Sequence, residues 1–198
     1  MDDTKFSGSA AFNLANSNIS LNIQGDKLDA DRYMPPATDK KASDASTAEK
    51  SASTTANTGY SKDEILPIDT LRSLALDLSV GLKSLHVANL DVSNILVKVS
   101  AHNGLIKASK IDADLYKGSV RNNVTLDVRN NTPVITSQKS ISGIQIGEML
   151  KALADVDQLT GSLNSKSNLT LRGNSVFDFV NSVTGTADVN MKDGELHG

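Results

Sequence analysis

The residues with the widest chemical repertoire in this chain are its three histidines, His86, His102 and His197. None has a second histidine three or four positions away. The spacing of a zinc site or of an HExxH helix is therefore missing. We expect them to be exposed strand or turn residues. Asp112 and Asp114 share one face of a strand. Paired carboxylates perform acid–base chemistry in some sites, but two on one strand face read as a solvated surface. There is no cysteine, so disulfides, thiolate ligands and thiol nucleophiles are excluded together. No Gly-x-Ser-x-Gly elbow, GxGxxG loop or P-loop occurs. Four glycosylation-type triplets, at Asn18, Asn123, Asn130 and Asn168, read as chance products of a chain rich in Asn, Ser and Thr. The expectation is a protein without catalytic residues, metal or cofactor, and not an enzyme.

The elements that would have to position any such groups follow from composition. The chain has 198 residues and a net charge of -3. That balance disfavours nucleic acid as a partner, since phosphate binding needs a basic face. Aromatics are only 4% and Trp is absent, too few for stacking on single strands. Leu, Ile, Val and Phe make up 51 residues, above the level at which chains stay disordered. The polar residues are mostly 24 Ser, 17 Asn and 14 Thr. Such residues suit the turns and wet face of an antiparallel sheet better than a helix surface. No apolar run is long enough to span a membrane. Met1 to Lys5 has no apolar core of a signal peptide. The end, just past the Asp193-Gly194 turn signal, reads as that of an excised fragment.

Along the chain, Phe6, Gly8, Ala10, Phe12 and Leu14 alternate with polar residues, then Asn16 to Asn18 form a turn. Ile19, Leu21 and Ile23 return, so residues 1–34 read as a hairpin belonging to the same sheet as the rest. Residues 35–61 are Ala, Ser, Thr, Lys, Asp and Glu with almost nothing large and apolar. They cannot bury enough surface to offset their ordering entropy and read as a flexible linker. In residues 62–198, Asp63 to Ser73 reads as a short helix or turn interrupted at Pro67. Alternation then resumes, with a phase change near Ser84 that predicts a bulge. Turn signals at Gly104, Gly118 and Asn131 recur every 13 to 14 residues. Strands of about 10 to 12 residues follow, long by usual standards, in a sheet roughly 35 Å across. Two short helices, Ile144 to Ala154 and Ser175 to Ser182, interrupt a final hairpin.

The fold class expected is mainly β: a long-stranded, highly curved antiparallel sheet. One face is apolar, lined by Leu76, Leu78, Val80, Val97, Val99, Ile111, Leu115, Val124, Leu126, Val128, Leu169 and Leu171. Two short helices cannot cover it, yet an uncovered apolar face aggregates. Three solutions remain open at this point. The sheet closes on itself as a sandwich or barrel, curls into a trough that accepts lipid, or pairs with parts of a larger protein. General packing grounds favour the closed core.

An ordered set of short features carries a family resemblance. Asn103-Gly104 precedes Leu115-Tyr116-Lys117-Gly118-Ser119, and Leu126-Asp127-Val128-Arg129 precedes Pro133. Ile141-Ser142-Gly143-Ile144 enters the helix with Met149-Leu150, and Leu159-Thr160-Gly161 opens a strand ending at Leu171-Arg172-Gly173-Asn174-Ser175. Thr184-Gly185-Thr186-Ala187 leads to Lys192-Asp193-Gly194-Glu195-Leu196-His197-Gly198. Phe6-Ser7-Gly8 and Leu28-Asp29-Ala30-Asp31-Arg32-Tyr33 add a weaker likeness ahead of the linker. From about Leu74 onward the chain resembles the C-terminal periplasmic region of the AsmA family. The resemblance implies a periplasmic location, tethered to the inner membrane in the full-length protein. It also implies a role in outer-membrane integrity and biogenesis. Larger relatives look like bridge-type lipid carriers with a hydrophobic β-groove. The trough then moves ahead of the closed core, with phospholipid acyl chains as the partner. The alternative is an interaction scaffold for outer-membrane protein assembly factors or clients. The family's membrane helix and N-terminal groove-starting region have no counterpart in the sequence.

Overall fold

The computed structural model describes residues 4–15, 17–33, 60–87 and 90–195. Alternating apolar and polar residues make nine strands among the described residues. They are β1 (Phe6–Asn13), β2 (Asn18–Asp29), β3 (Leu76–Val87), β4 (Leu90–His102), β5 (Leu105–Leu115), β6 (Gly118–Asp127), β7 (Val134–Gln145), β8 (Ser162–Arg172) and β9 (Thr184–Lys192). All belong to one sheet in the order of the sequence, and the sheet is not closed. The protein is mainly β, as expected.

The expectation of a wholly antiparallel sheet needs one correction. β2 and β3 run parallel, from Ile19 opposite Leu76 to Asp29 opposite His86. Parallel neighbours require a crossover, and here it falls in the connection between Asp29 and Leu76. The expected linker at 35–61 falls within that connection, and all but Tyr60 and Ser61 lie outside the described residues.

Turn chemistry sets the other connections. Tyr116 and Lys117 both have positive φ, 45° and 60°, and join β5 to β6 in a two-residue hairpin. Asn103 and Gly104 do the same between β4 and β5. Three helices occupy the ends of the sheet: α1 (Ile68–Ser73), α2 (Ile146–Ala154) and α3 (Val176–Ser182). α1 begins immediately after Pro67, where the expected interruption falls. It is anchored through Arg72, whose guanidinium donates to the carbonyls of Val128 (2.7 Å) and Asn130 (3.0 Å). Ser175 caps α3 by accepting from the Asp178 N–H at 3.0 Å. Asn174 binds both backbone groups of Leu66. These contacts tie residues 60–67 and α3 to one end of the sheet.

The phase change near Ser84 is present, but it is not a register shift in β3. Pairing omits Asp26–Lys83 and Lys83–Asn94 with the same offset on both sides. Three neighbouring strands therefore change phase together. True register shifts lie in β4 near Asn94, in β5 near Ser109 and Lys110, and in β7 at Ser142 and Gly143. Each extra residue bends its strand and adds twist.

Apart from Pro133, only Ala101, Val128 and Ile144 are buried apolar side chains among the described residues. A closed sandwich or barrel of this size would bury many more. Among the described residues no second layer covers the sheet and the sheet is not closed, so the closed-core alternative falls.

Candidate functional site

The register places side chains into rows that cross the sheet. The first contains Phe12, Ile19, Leu76, Ala101, Ile106, Leu126, Ile135 and Leu171, each opposite the next. It passes through eight strands with no polar residue. The second contains Leu21, Leu78, Val99, Ala108, Val124, Ser137 and Leu169. The third starts as Ile23, Val80, Val97 and Ile111 and continues as Asn122, Lys139 and Ser167. Because side chains alternate across a strand, these rows share one face. Gly25 marks that face too: a Cβ there would stand 2.5 Å from the Phe6 ring and 2.7 Å from Leu82 Cδ1.

The twelve candidate lining residues fall as follows. Leu76, Leu126 and Leu171 lie in the first row, and Leu78, Val99, Val124 and Leu169 in the second. Val80, Val97 and Ile111 lie in the third, and Leu115 sits at the far end, between Val92 and Gly118. Val128 differs. It lies just past the end of β6 and is fully buried, and its carbonyl accepts from Arg72 Nε at 2.7 Å. The other eleven are half-buried or, for Ile111, 38% exposed. Sequence reasoning missed Phe12, Ile19, Leu21 and Ile23 as parts of this face, although their alternation was visible. It also missed Ile106 and Ile135. The bulge at Ser109 and Lys110 hides the phase of Ile106, and polar Ser137 and Lys139 mask that of Ile135.

Apart from Lys139 in the third row, the charged side chains of the described strands lie on the opposite face. There Arg121 Nη2 meets Asp114 at 2.8 Å, and its Nε lies 3.8 Å from Asp112. Hydrogen bonds from Asn94 and Arg121 lower the Asp114 pKa. Acid catalysis asks instead for a carboxyl pKa raised toward neutrality. His86 Nδ1 is 2.6 Å from Asp91, with Asp31 at 3.7 Å, and His102 is 3.1 Å from Asp77. The Asp91 hydrogen bond and the nearby carboxylates raise the His86 pKa above the usual imidazole range. No helix among the described residues is long and apolar enough to cross a membrane.

Several residues that carried the family resemblance shape the ends of this sheet. Gly143, at φ +68°, forms the β7 bulge. A Cβ on Gly118 would stand 2.5 Å from the Gly143 carbonyl carbon and 2.6 Å from the Ser142 oxygen. Arg129 grips Asp127 through Nε at 2.9 Å and Nη2 at 2.6 Å.

No curated protein and no solved structure matches the chain. The sequence profile of the AsmA family matches residues 2–198, and the chain belongs to that family.

Proposed function

We propose that this AsmA-family chain is a non-catalytic lipid-handling module, which holds or conveys phospholipid along the apolar face of its sheet. We place it in the periplasm, within a protein tethered to the inner membrane, in support of outer-membrane biogenesis. The observation that carries this reading is the apolar row from Phe12 to Leu171, unbroken over eight strands and uncovered by a second layer among the described residues. Hydrocarbon needs a continuous apolar strip and little directional chemistry. Each buried methylene contributes about 0.8 kcal/mol, so modest contact along several strands is enough. Monomeric soluble proteins rarely leave so large an apolar surface without a use.

The test is mass spectrometry of lipids co-purified without detergent from bacterial periplasm. Stoichiometric phospholipid is expected. The double variant Val124→Asp, Leu126→Asp should remain folded and lose it. A well-folded wild-type protein free of lipid would overturn the reading.

A second reading has its own support. β1 is exposed along its whole length, carries no charge and no proline, and pairs with β2 without a bulge. Edge strands usually carry such protection against pairing. An unprotected edge suits β-augmentation by a strand-rich client, which would make the chain a scaffold for outer-membrane protein assembly. Capture of strand peptides should then survive the Asp substitutions.

A further inference from the structure

The apolar face has one polar interruption. Asn122, Lys139 and Ser167 are direct neighbours on β6, β7 and β8. Ser137 and Ser165 flank them in the same phase of their strands. The Ser137 hydroxyl donates to Asn122 Oδ1 at 3.1 Å, which places both on this face. Lys139 is the only charged residue in the apolar phase of the nine strands, among the described residues. It is exposed and has no hydrogen bond or ion pair among them.

We propose that this cluster is a subsite for the anionic phosphate headgroup of a bound phospholipid, whose acyl chains lie on the flanking apolar rows. The inference rests on the lipid-handling reading. A lysine placed there only to keep the face soluble would need no company. Here the ammonium stands beside hydrogen-bonding groups that are not in use. The bond from Ser137 occupies the Asn122 carbonyl and leaves its amide N–H groups free. The hydroxyls of Ser165 and Ser167 likewise make no bond among the described residues. Ammonium, amide and hydroxyl donors on adjacent strands lie about 5 Å apart at Cβ, close enough to share the oxygens of one phosphate. Charge-assisted bonds of this kind are the strong ones. Apolar surface continues on both sides. Val124 and Leu126 lie toward one end of the sheet, and Val120 and Ile141 toward the other.

The experiment is calorimetric titration of the 198-residue chain with dodecyl phosphate, the uncharged dodecyl maltoside and inorganic phosphate, below micelle-forming concentrations. Wild type should bind dodecyl phosphate about tenfold more tightly than the maltoside, the effect of one hydrogen bond to a charged group. Lys139→Ala should abolish that preference and leave maltoside binding and the melting temperature unchanged. Lys139→Arg should retain it. Lys166→Ala, on the opposite face, should behave as wild type. Inorganic phosphate alone should not bind measurably. An unchanged preference in Lys139→Ala would overturn the subsite while the apolar-face reading stands. Tight binding of inorganic phosphate would overturn it in favour of a free-anion site. Binding of neither amphiphile by wild type would overturn both.

Discussion

At the scale of single residues, the ion pairs of the polar face set a pH response. The His86 pKa is raised, chiefly by its hydrogen bond to Asp91. A raised imidazole pKa stabilises the fold fully below the unfolded value, and that stabilisation is lost as pH rises through the folded value. NMR titration should therefore show His86 titrating above the usual imidazole range, and Asp91→Asn should bring it back down. Asp127 behaves in the opposite sense. The Arg129 side chain and backbone N–H hold its pKa down to about 2. Its contribution is present above the unfolded carboxyl value and disappears as pH falls through about 2. Carboxyl NMR should find Asp127 still ionised at pH 3 in wild type, and partly protonated there in Arg129→Ala. An Asp127 titration in the ordinary carboxylate range would mean that the fork with Arg129 does not form in solution.

Element by element, the stability of the sheet depends on close backbone approaches and caps rather than on a deep core. β6 starts against the β7 bulge with no room for a side chain at Gly118. Gly118→Ala should cost about 1–3 kcal/mol, as overpacking does, read as a lower urea midpoint with an unchanged slope. Ser175 is 3% exposed and caps α3. Its replacement by alanine should cost about 1 kcal/mol and loosen the clasp between Asn174 and Leu66. Both positions belong to short stretches that carried the family resemblance: Leu115-Tyr116-Lys117-Gly118 and Leu171-Arg172-Gly173-Asn174-Ser175. Their geometry explains that part of the likeness as fold-making chemistry. The expected phase change at Ser84 was readable because Leu82 and Leu85 fall on opposite parities. That it runs through Asp26, Lys83 and Asn94 on three strands was not readable, since β2 and β4 are aligned with β3 only by pairing.

For the whole molecule, a single sheet whose apolar face is uncovered among the described residues should bind a hydrophobic dye while natively folded. The near-UV signal and cooperative melting should persist with dye bound. Dye binding should fall sharply in the Val124→Asp, Leu126→Asp variant. A folded wild type that binds no dye would mean that the face is covered in solution. The same openness gives the polar interruption around Lys139 its meaning, because a closed core would have had to exclude or neutralise it.

Local physics made much of this legible from the sequence alone. Alternation of period two identified the strands, and turn residues at Gly104, Gly118 and Asn131 set their length. The shortage of helix to cover the sheet announced an apolar face in need of a partner. Eleven of the twelve candidate residues share one face of the sheet, because side-chain parity is a local property. Four things waited for the tertiary structure. The parallel pairing of β2 with β3 joins segments separated by a long low-complexity stretch, and no local signal specifies that choice of edge. The burial of Val128 goes with tertiary contacts such as the bond from Arg72, distant in sequence, to its carbonyl. The membership of Ile106 and Ile135 in the apolar row depends on bulges and on neighbours across the sheet. Finally, Asn122, Lys139 and Ser167 form one cluster only because register brings three strands side by side. Which face a residue takes is largely local, whereas which residues become neighbours is decided by long-range hydrogen bonding.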